Sequence, residues 1–132
     1  MAKILVVDDN ADNRDVLSRL VGFGGHEPFT ASDGKEALDR ARQDHPDLIL
    51  MDLAMPEMDG WSATRRLKSD QDLTHIPVII VTGHVTHQDI QDAQEVGCDD
   101  VVSKPIDYHV LMGKIGRHLG AASSTSTHAV DG

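Results

Sequence analysis

The chain has 132 residues, 39% hydrophobic and 26% charged, with 22 acidic against 12 basic side chains and a formal net charge of −10. That length suits one domain with a full core, since such units commonly run ~100 to 150 residues, and the composition is that of a folding chain rather than a disordered one. With no basic stripe to override it, the acidity argues against nucleic acid and anionic membrane surfaces as partners.

Met1-Ala2-Lys3 leads directly into the first apolar run, Ile4 to Val7, which Asp8 and Asp9 stop; this is not a signal-peptide pattern. No apolar stretch approaches the roughly 18 residues of a membrane span, so a cytoplasmic protein without membrane insertion is expected. A first helix is predicted from Ala11 to Phe23, its inward stripe being Val16, Leu17, Leu20 and Val21, with Gly24-Gly25 as its stop. The weaker run Glu27 to Ala31 reads as a strand, and Pro28, lacking a ladder donor, puts it at a sheet edge. Asp33 and Glu36 then open a second helix as carboxylate cap and returning acid, with Ala37, Leu38 and Ala41 inward and His45-Pro46 at its end.

A third strand, Leu48 to Asp52, feeds a Pro- and Gly-marked loop over 53–60 and a helix carrying Trp61, Thr64 and Leu67. Val78 to Thr82, after Pro77, is the fourth strand. The next helix has only Ile90, Ala93 and Val96 on its apolar side, which predicts looser packing than the others. Cys98, the single cysteine, precedes the fifth strand and is read as a packing residue. That strand is the brief Asp100 to Ser103; Lys104-Pro105 follows, and a last helix from about Asp107 to Leu119 bears Leu111, Met112, Ile115 and Leu119. Residues 120–132, rich in Ala, Ser and Thr without periodicity, read as a disordered tail after a domain of residues 1–119.

Short apolar runs alternating with helical periodicity predict an α/β fold, a parallel five-stranded sheet between two helical layers. Ligands of such sheets sit beyond the carboxyl ends of the strands. Four of the strands end there in residues with phosphate chemistry. Asp8, Asp9 and Asp52 would crowd three carboxylates together, which a cation relieves. Mg²⁺, or Mn²⁺, suits oxygen ligands, at about 2.0 to 2.1 Å for Mg²⁺, and the backbone carbonyl of Ala54 could add another; no histidine pair has the spacing of a zinc motif.

Phosphoryl transfer to a carboxylate needs a nucleophile, a metal and donors for the phosphoryl oxygens. Asp52, alone at its strand end, is the candidate acceptor. Lys104 would pair with it at rest and with the phosphoryl group afterwards, Thr82 would donate its hydroxyl, and Gly83 leaves the approach clear. A cis bond at Lys104-Pro105 would help aim the ammonium inward. Each feature alone has an ordinary explanation: a helix cap for Asp8-Asp9, a surface turn for Lys-Pro. Their conjunction at the right strand ends is what carries weight.

Over residues 1–119 the chain resembles the receiver domain of two-component response regulators, through Val6-Val7-Asp8-Asp9-Asn10, Asp47 to Asp52, Met55-Pro56-Glu57-Met58-Asp59-Gly60, Val81-Thr82-Gly83 and Lys104-Pro105. The resemblance implies a flavodoxin-like (βα)5 three-layer sandwich with strand order 2-1-3-4-5. It also implies transfer from a phosphohistidine of a histidine kinase or histidine phosphotransfer protein to Asp52, with Mg²⁺ held by Asp8, Asp9 and Asp52. Hydrolysis of the acyl phosphate would reset the switch, so the domain is a signalling acceptor rather than an enzyme. A downstream protein would read the face of helix four, strand five and helix five, and the chain would be a monomer or weak dimer.

Three departures stand out. Val101 replaces the aromatic that many members carry three residues before the lysine. Ala54 and His84 occupy the two positions that, in the family the chain resembles, flank the attacking water. No output domain follows Leu119, which is the pattern of a stand-alone receiver. Two rival readings are a receiver fold that binds partners without phosphate, and a small Mg²⁺-dependent phosphohydrolase of the haloacid dehalogenase type. Asp8-Asp9-Asn10 departs from the Asp-any-Asp nucleophile pattern of the latter.

Overall fold

In a computed structural model, residues 2–53, 60–83 and 87–123 are described, with the backbone alone at 87, 89, 90, 93 and 120–123. Five strands, β1 (Lys3–Val7), β2 (Glu27–Ala31), β3 (Leu48–Asp52), β4 (Val78–Thr82) and β5 (Asp100–Ser103), alternate with α1 (Ala11–Phe23), α2 (Gly34–Asp44), α3 (Gly60–Ser69), α4 (His87–Val96) and α5 (Tyr108–Ser123). The strands form one sheet of order β2-β1-β3-β4-β5, and every pairing is parallel. Pro28 therefore lies on an edge strand, as its missing donor predicts.

Strand periodicity divides the core into two layers. Leu5, Val7, Ile49, Met51, Val78 and Ile80 pack with Ala37, Leu38, Ala41, Ala63 and Leu67 of α2 and α3. The alternate residues Ile4, Val6, Leu48, Leu50, Ile79 and Val81 pack with Leu17, Val21, Leu111 and Ile115 of α1 and α5. Central strands buried on both faces must be apolar throughout, which is why they appear in the sequence as continuous runs. Val96 is buried, while Ile90 and Ala93 of the predicted α4 stripe lie outside the described side chains.

Local chemistry sets the helix ends. Asn10 caps α1 by accepting the Asn13 amide at 2.9 Å, and Asp33 caps α2 by accepting the Glu36 amide at 2.8 Å. The Glu36 carboxylate reaches back to the Ser32 amide and hydroxyl, one residue earlier than the usual box. These donors hold its carboxyl below the ordinary value. Asp100 gathers Lys114 Nζ at 2.9 Å and His118 Nε2 at 3.0 Å, tying β5 to α5. Burial works to raise the Asp100 carboxyl, but those hydrogen bonds outweigh it and leave the group lowered.

Two expectations need correction. Val16 is 52% exposed rather than inward, because the α1 stripe centres on Leu17 and Val21 and leaves Val16 at its margin. Helix α5 runs to Ser123 instead of ending at Leu119, since Ala121-Ala122 favour helix strongly enough to carry it past Gly120. Phe23, the last residue of α1, is 84% exposed and leans edge-on against Tyr108 of α5. Cys98 is half-buried against the α2/α3 layer, and burial pushes its thiol up to about 11. No described helix is long and apolar enough to cross a membrane.

Candidate functional site

Sheet register explains why the acidic residues meet. Val7 pairs with Met51, so the next residues along the two strands, Asp8 and Asp52, emerge side by side at the carboxyl edge. Asp52 in turn pairs with Val81, which puts Thr82 one step beyond, and Thr82 pairs with Ser103, the residue before Lys104. Four distant segments thus deliver their polar ends to one edge of the sheet.

Oxygens of Asp8, Asp9 and Asp52 lie within 4.8 Å of one another, the first and last of these residues buried and Asp9 exposed. Asp8 is not the helix cap, a task taken by Asn10; its Oδ1 accepts the Asn10 amide at 2.9 Å. Its Oδ2 is buried without a hydrogen-bond partner among the described residues. Lys104 Nζ sits 3.2 Å from Asp52 Oδ1 and 3.9 Å from Asp8 Oδ2. The Lys104-Pro105 bond is cis. Thr82 is buried, and its carbonyl accepts the Lys104 amide at 2.7 Å. Gly83 is exposed, and a Cβ there would meet no described atom within 4 Å. Ala54 and His84 lie outside the described residues.

Among the described residues, three carboxylates stand against one ammonium at this edge, which leaves the negative charge in excess. Burial raises the Asp8 carboxyl, with the Asn10 amide and Lys104 opposing it. Asp52 is raised by burial first and by the charge of Asp8 second, again against Lys104. A residue with an orphaned buried oxygen, clustered with two further carboxylates, is a donor set that fits a hard divalent cation.

Sequence reasoning did not single out two further residues of this edge. Gly60 starts α3 directly against the end of β3: its amide donates to the Leu53 carbonyl at 3.1 Å. A Cβ there would run into the Asp52 carbonyl and lie 2.9 Å from Leu53 Cα. Arg14 donates from Nη1 to the Asp8 carbonyl at 2.8 Å. The proline and glycine of the 53–60 segment marked a loop but not this close approach, and a side chain reaching a main-chain oxygen leaves no spacing to read.

Residues 4–116 match the response regulator receiver domain family. The polar-differentiation response regulator DivK of Brucella ovis is 40% identical over 119 residues, spanning 90% of this chain and 97% of that protein. Among solved structures, chemotaxis protein CheY4 of Vibrio cholerae superposes with a TM-score of 0.84 at 30% identity, over 89% of this chain and 98% of its own. The receiver domain of the sensor histidine kinase PA1611 from Pseudomonas aeruginosa has a TM-score of 0.84 at 29% identity, over 90% of this chain and 98% of its own, and holds a magnesium ion in its active site cleft. With the strand order, the acidic edge and these likenesses in agreement, the chain belongs to the response regulator receiver domain family, the signalling domains of two-component systems.

Proposed function

We propose that Asp52 accepts a phosphoryl group from the phosphohistidine of a histidine kinase or histidine phosphotransfer protein, in a reaction that requires Mg²⁺ or Mn²⁺. The observation that carries this reading is the meeting of three carboxylate oxygens within 4.8 Å, one of them belonging to a residue 3.2 Å from a lysine ammonium. Asp8, Asp9 and Asp52 would hold the ion, with the Ala54 carbonyl as a further ligand, and the magnesium in the PA1611 receiver supports the assignment. The ion would neutralise charge on the phosphoryl oxygens.

An Asp52 oxygen attacks phosphorus; the P–N bond to the donor breaks, and the imidazole nitrogen leaves with its electron pair. Lys104 exchanges its contact with Asp52 for one with the new phosphoryl group, and the Thr82 hydroxyl and the Gly83 edge receive the remaining oxygens. The modification adds roughly −1.5 to −2 charges. Drawing Thr82 and Lys104 inward then biases the α4, β5 and α5 face toward a downstream protein, without the aromatic switch residue that Val101 replaces. Hydrolysis of the acyl phosphate resets the site. We place this cycle in the cytoplasm.

A protein donor has a surface to rest on beside Lys104. A groove of about 380 Å³ between α1 and the turn after β5 is lined by Val16, Leu17, Leu20, Pro105 and Ile106, together with Asn13 and Lys104. Its apolar lining suits a helical partner whose histidine reaches over the sheet edge.

Phosphoramidate with Mg²⁺ adds a single phosphoryl mass to the intact protein, removable by hydroxylamine, and the Asp52→Asn variant gains none. Undiminished uptake by that variant would overturn the assignment.

A further inference from the structure

Asp8 has three of its four polar atoms fixed by neighbours. Its amide donates to the Ala31 carbonyl at 3.2 Å, its Oδ1 accepts the Asn10 amide at 2.9 Å, and its carbonyl accepts Arg14 Nη1 at 2.8 Å. The fourth, Oδ2, is buried without a hydrogen-bond partner among the described residues, 3.9 Å from Lys104 Nζ. The first two contacts come from the edge of β2 and from the turn itself. The third comes from a side chain six residues along the chain, one turn into α1, and it is the contact that braces the β1–α1 turn against the helix following it.

We infer that Arg14 is a positioning residue for the cation site: its guanidinium, anchored on the Asp8 carbonyl, holds the turn so that Asp8 Oδ2 faces Asp52. This rests on the reading of Asp8, Asp9 and Asp52 as cation ligands. Arg14 hydrogen-bonds a main-chain oxygen, and its charge is felt by Glu36; no ion pair joins it to Asp8, Asp9 or Asp52 among the described residues, so it acts on where the ligands stand. A planar guanidinium at a charge-assisted hydrogen-bond distance constrains direction as well as separation. Residues that orient ligands in this way change metal affinity by roughly 10- to 100-fold when removed.

The test is calorimetric titration of Mg²⁺ into the unmutated chain and into Arg14→Met, Arg14→Lys and Arg19→Ala, each first checked for folding by circular dichroism. Methionine keeps the aliphatic stem but not the donor, and weakens Mg²⁺ binding roughly tenfold. Lysine, which retains a charged donor but not the planar guanidinium, restores only part of the affinity. Arg19 lies further along α1 and pairs with Asp15 in solvent, so its loss removes the same charge and leaves the affinity unchanged. In phosphoramidate kinetics, Arg14→Met raises the Mg²⁺ concentration for half-maximal rate while the rate at saturating Mg²⁺ stays within about twofold, a split that a general loss of stability does not produce. Should the methionine variant fail to fold, Arg14→Ala carries the same expectation. Equal affinity in Arg14→Met and the unmutated chain, or equal weakening by Arg19→Ala, overturns the inference alone. Failure of the unmutated chain to bind Mg²⁺ overturns the cation reading, and this inference with it.

Discussion

The Lys104 amide donates to the Thr82 carbonyl at 2.7 Å, so the hydroxyl and the ammonium of the site hang from one hydrogen-bonded piece of main chain at the ends of β4 and β5. Displacement of either residue is felt by the other through that bond. The Lys104 ammonium also opposes the charges of Asp8 and Asp52, occupying the role a metal ion would share.

Lys104→Met is therefore expected to have opposite effects on two measurements. Removing a partly exposed ammonium from beside two carboxylates tightens Mg²⁺ binding by about fivefold, a modest Coulomb effect once solvent screening is allowed for. Acyl phosphate formation at saturating Mg²⁺ slows by roughly tenfold or more, because a donor to the phosphoryl oxygens is gone. Calorimetry and quenched-flow mass spectrometry read the two separately.

The raised carboxyls of Asp8 and Asp52 make stability depend on pH in a definite sense. A raised value in the fold means that protonation favours the folded state. The contribution of these groups is full below the ordinary value of 3.8 and is lost as pH climbs through the raised ones. At neutral pH, without divalent ions, both charged groups destabilise the fold. Asp52→Asn should then raise the cation-free stability by on the order of 1 kcal/mol, measured by urea denaturation. Saturating Mg²⁺ should raise the Tm of the unmutated chain more near pH 8 than near pH 5, since protons compete for the same oxygens.

Gly60→Ala should cost about 1 to 3 kcal/mol and weaken Mg²⁺ binding, because the new methyl presses on the Asp52 carbonyl. Gly83→Ala, where a Cβ meets no described atom, should stay within about 0.5 kcal/mol. Urea midpoints of the two variants, set beside the unmutated chain, decide this.

Val16→Asp places a charge at the exposed rim of the groove beside Lys104. Phosphotransfer from a protein phosphohistidine should fall at least roughly tenfold in kcat/KM, while phosphoramidate, which needs no docking surface, modifies Asp52 at the unmutated rate. Equal loss with both donors would place the defect in the site instead of the groove.

Most of the architecture was legible because doubly buried strands must be written as continuous apolar runs, and the strand ends of β1, β3, β4 and β5 then carry the site by register. Asp33 announced α2 by its own cap chemistry. What escaped was tertiary. The spacing of Lys114 and His118 puts both on one side of α5, but nothing in it names Asp100 as their shared partner. The Arg14 contact to a carbonyl and the proximity of Gly60 to Asp52 depend on how α1 and α3 leave the sheet. Val16 failed because a helical stripe is broader in sequence than the strip of surface its helix buries.

With its thiol pushed up to about 11, Cys98 carries negligible thiolate at physiological pH, and the thiolate is the form that oxidants and alkylators attack. It is the chain's single cysteine, and it packs partly buried beside the α2 and α3 layer. Alkylation at this position is thereby slowed, and iodoacetamide near pH 7 should leave Cys98 of the folded protein largely unmodified.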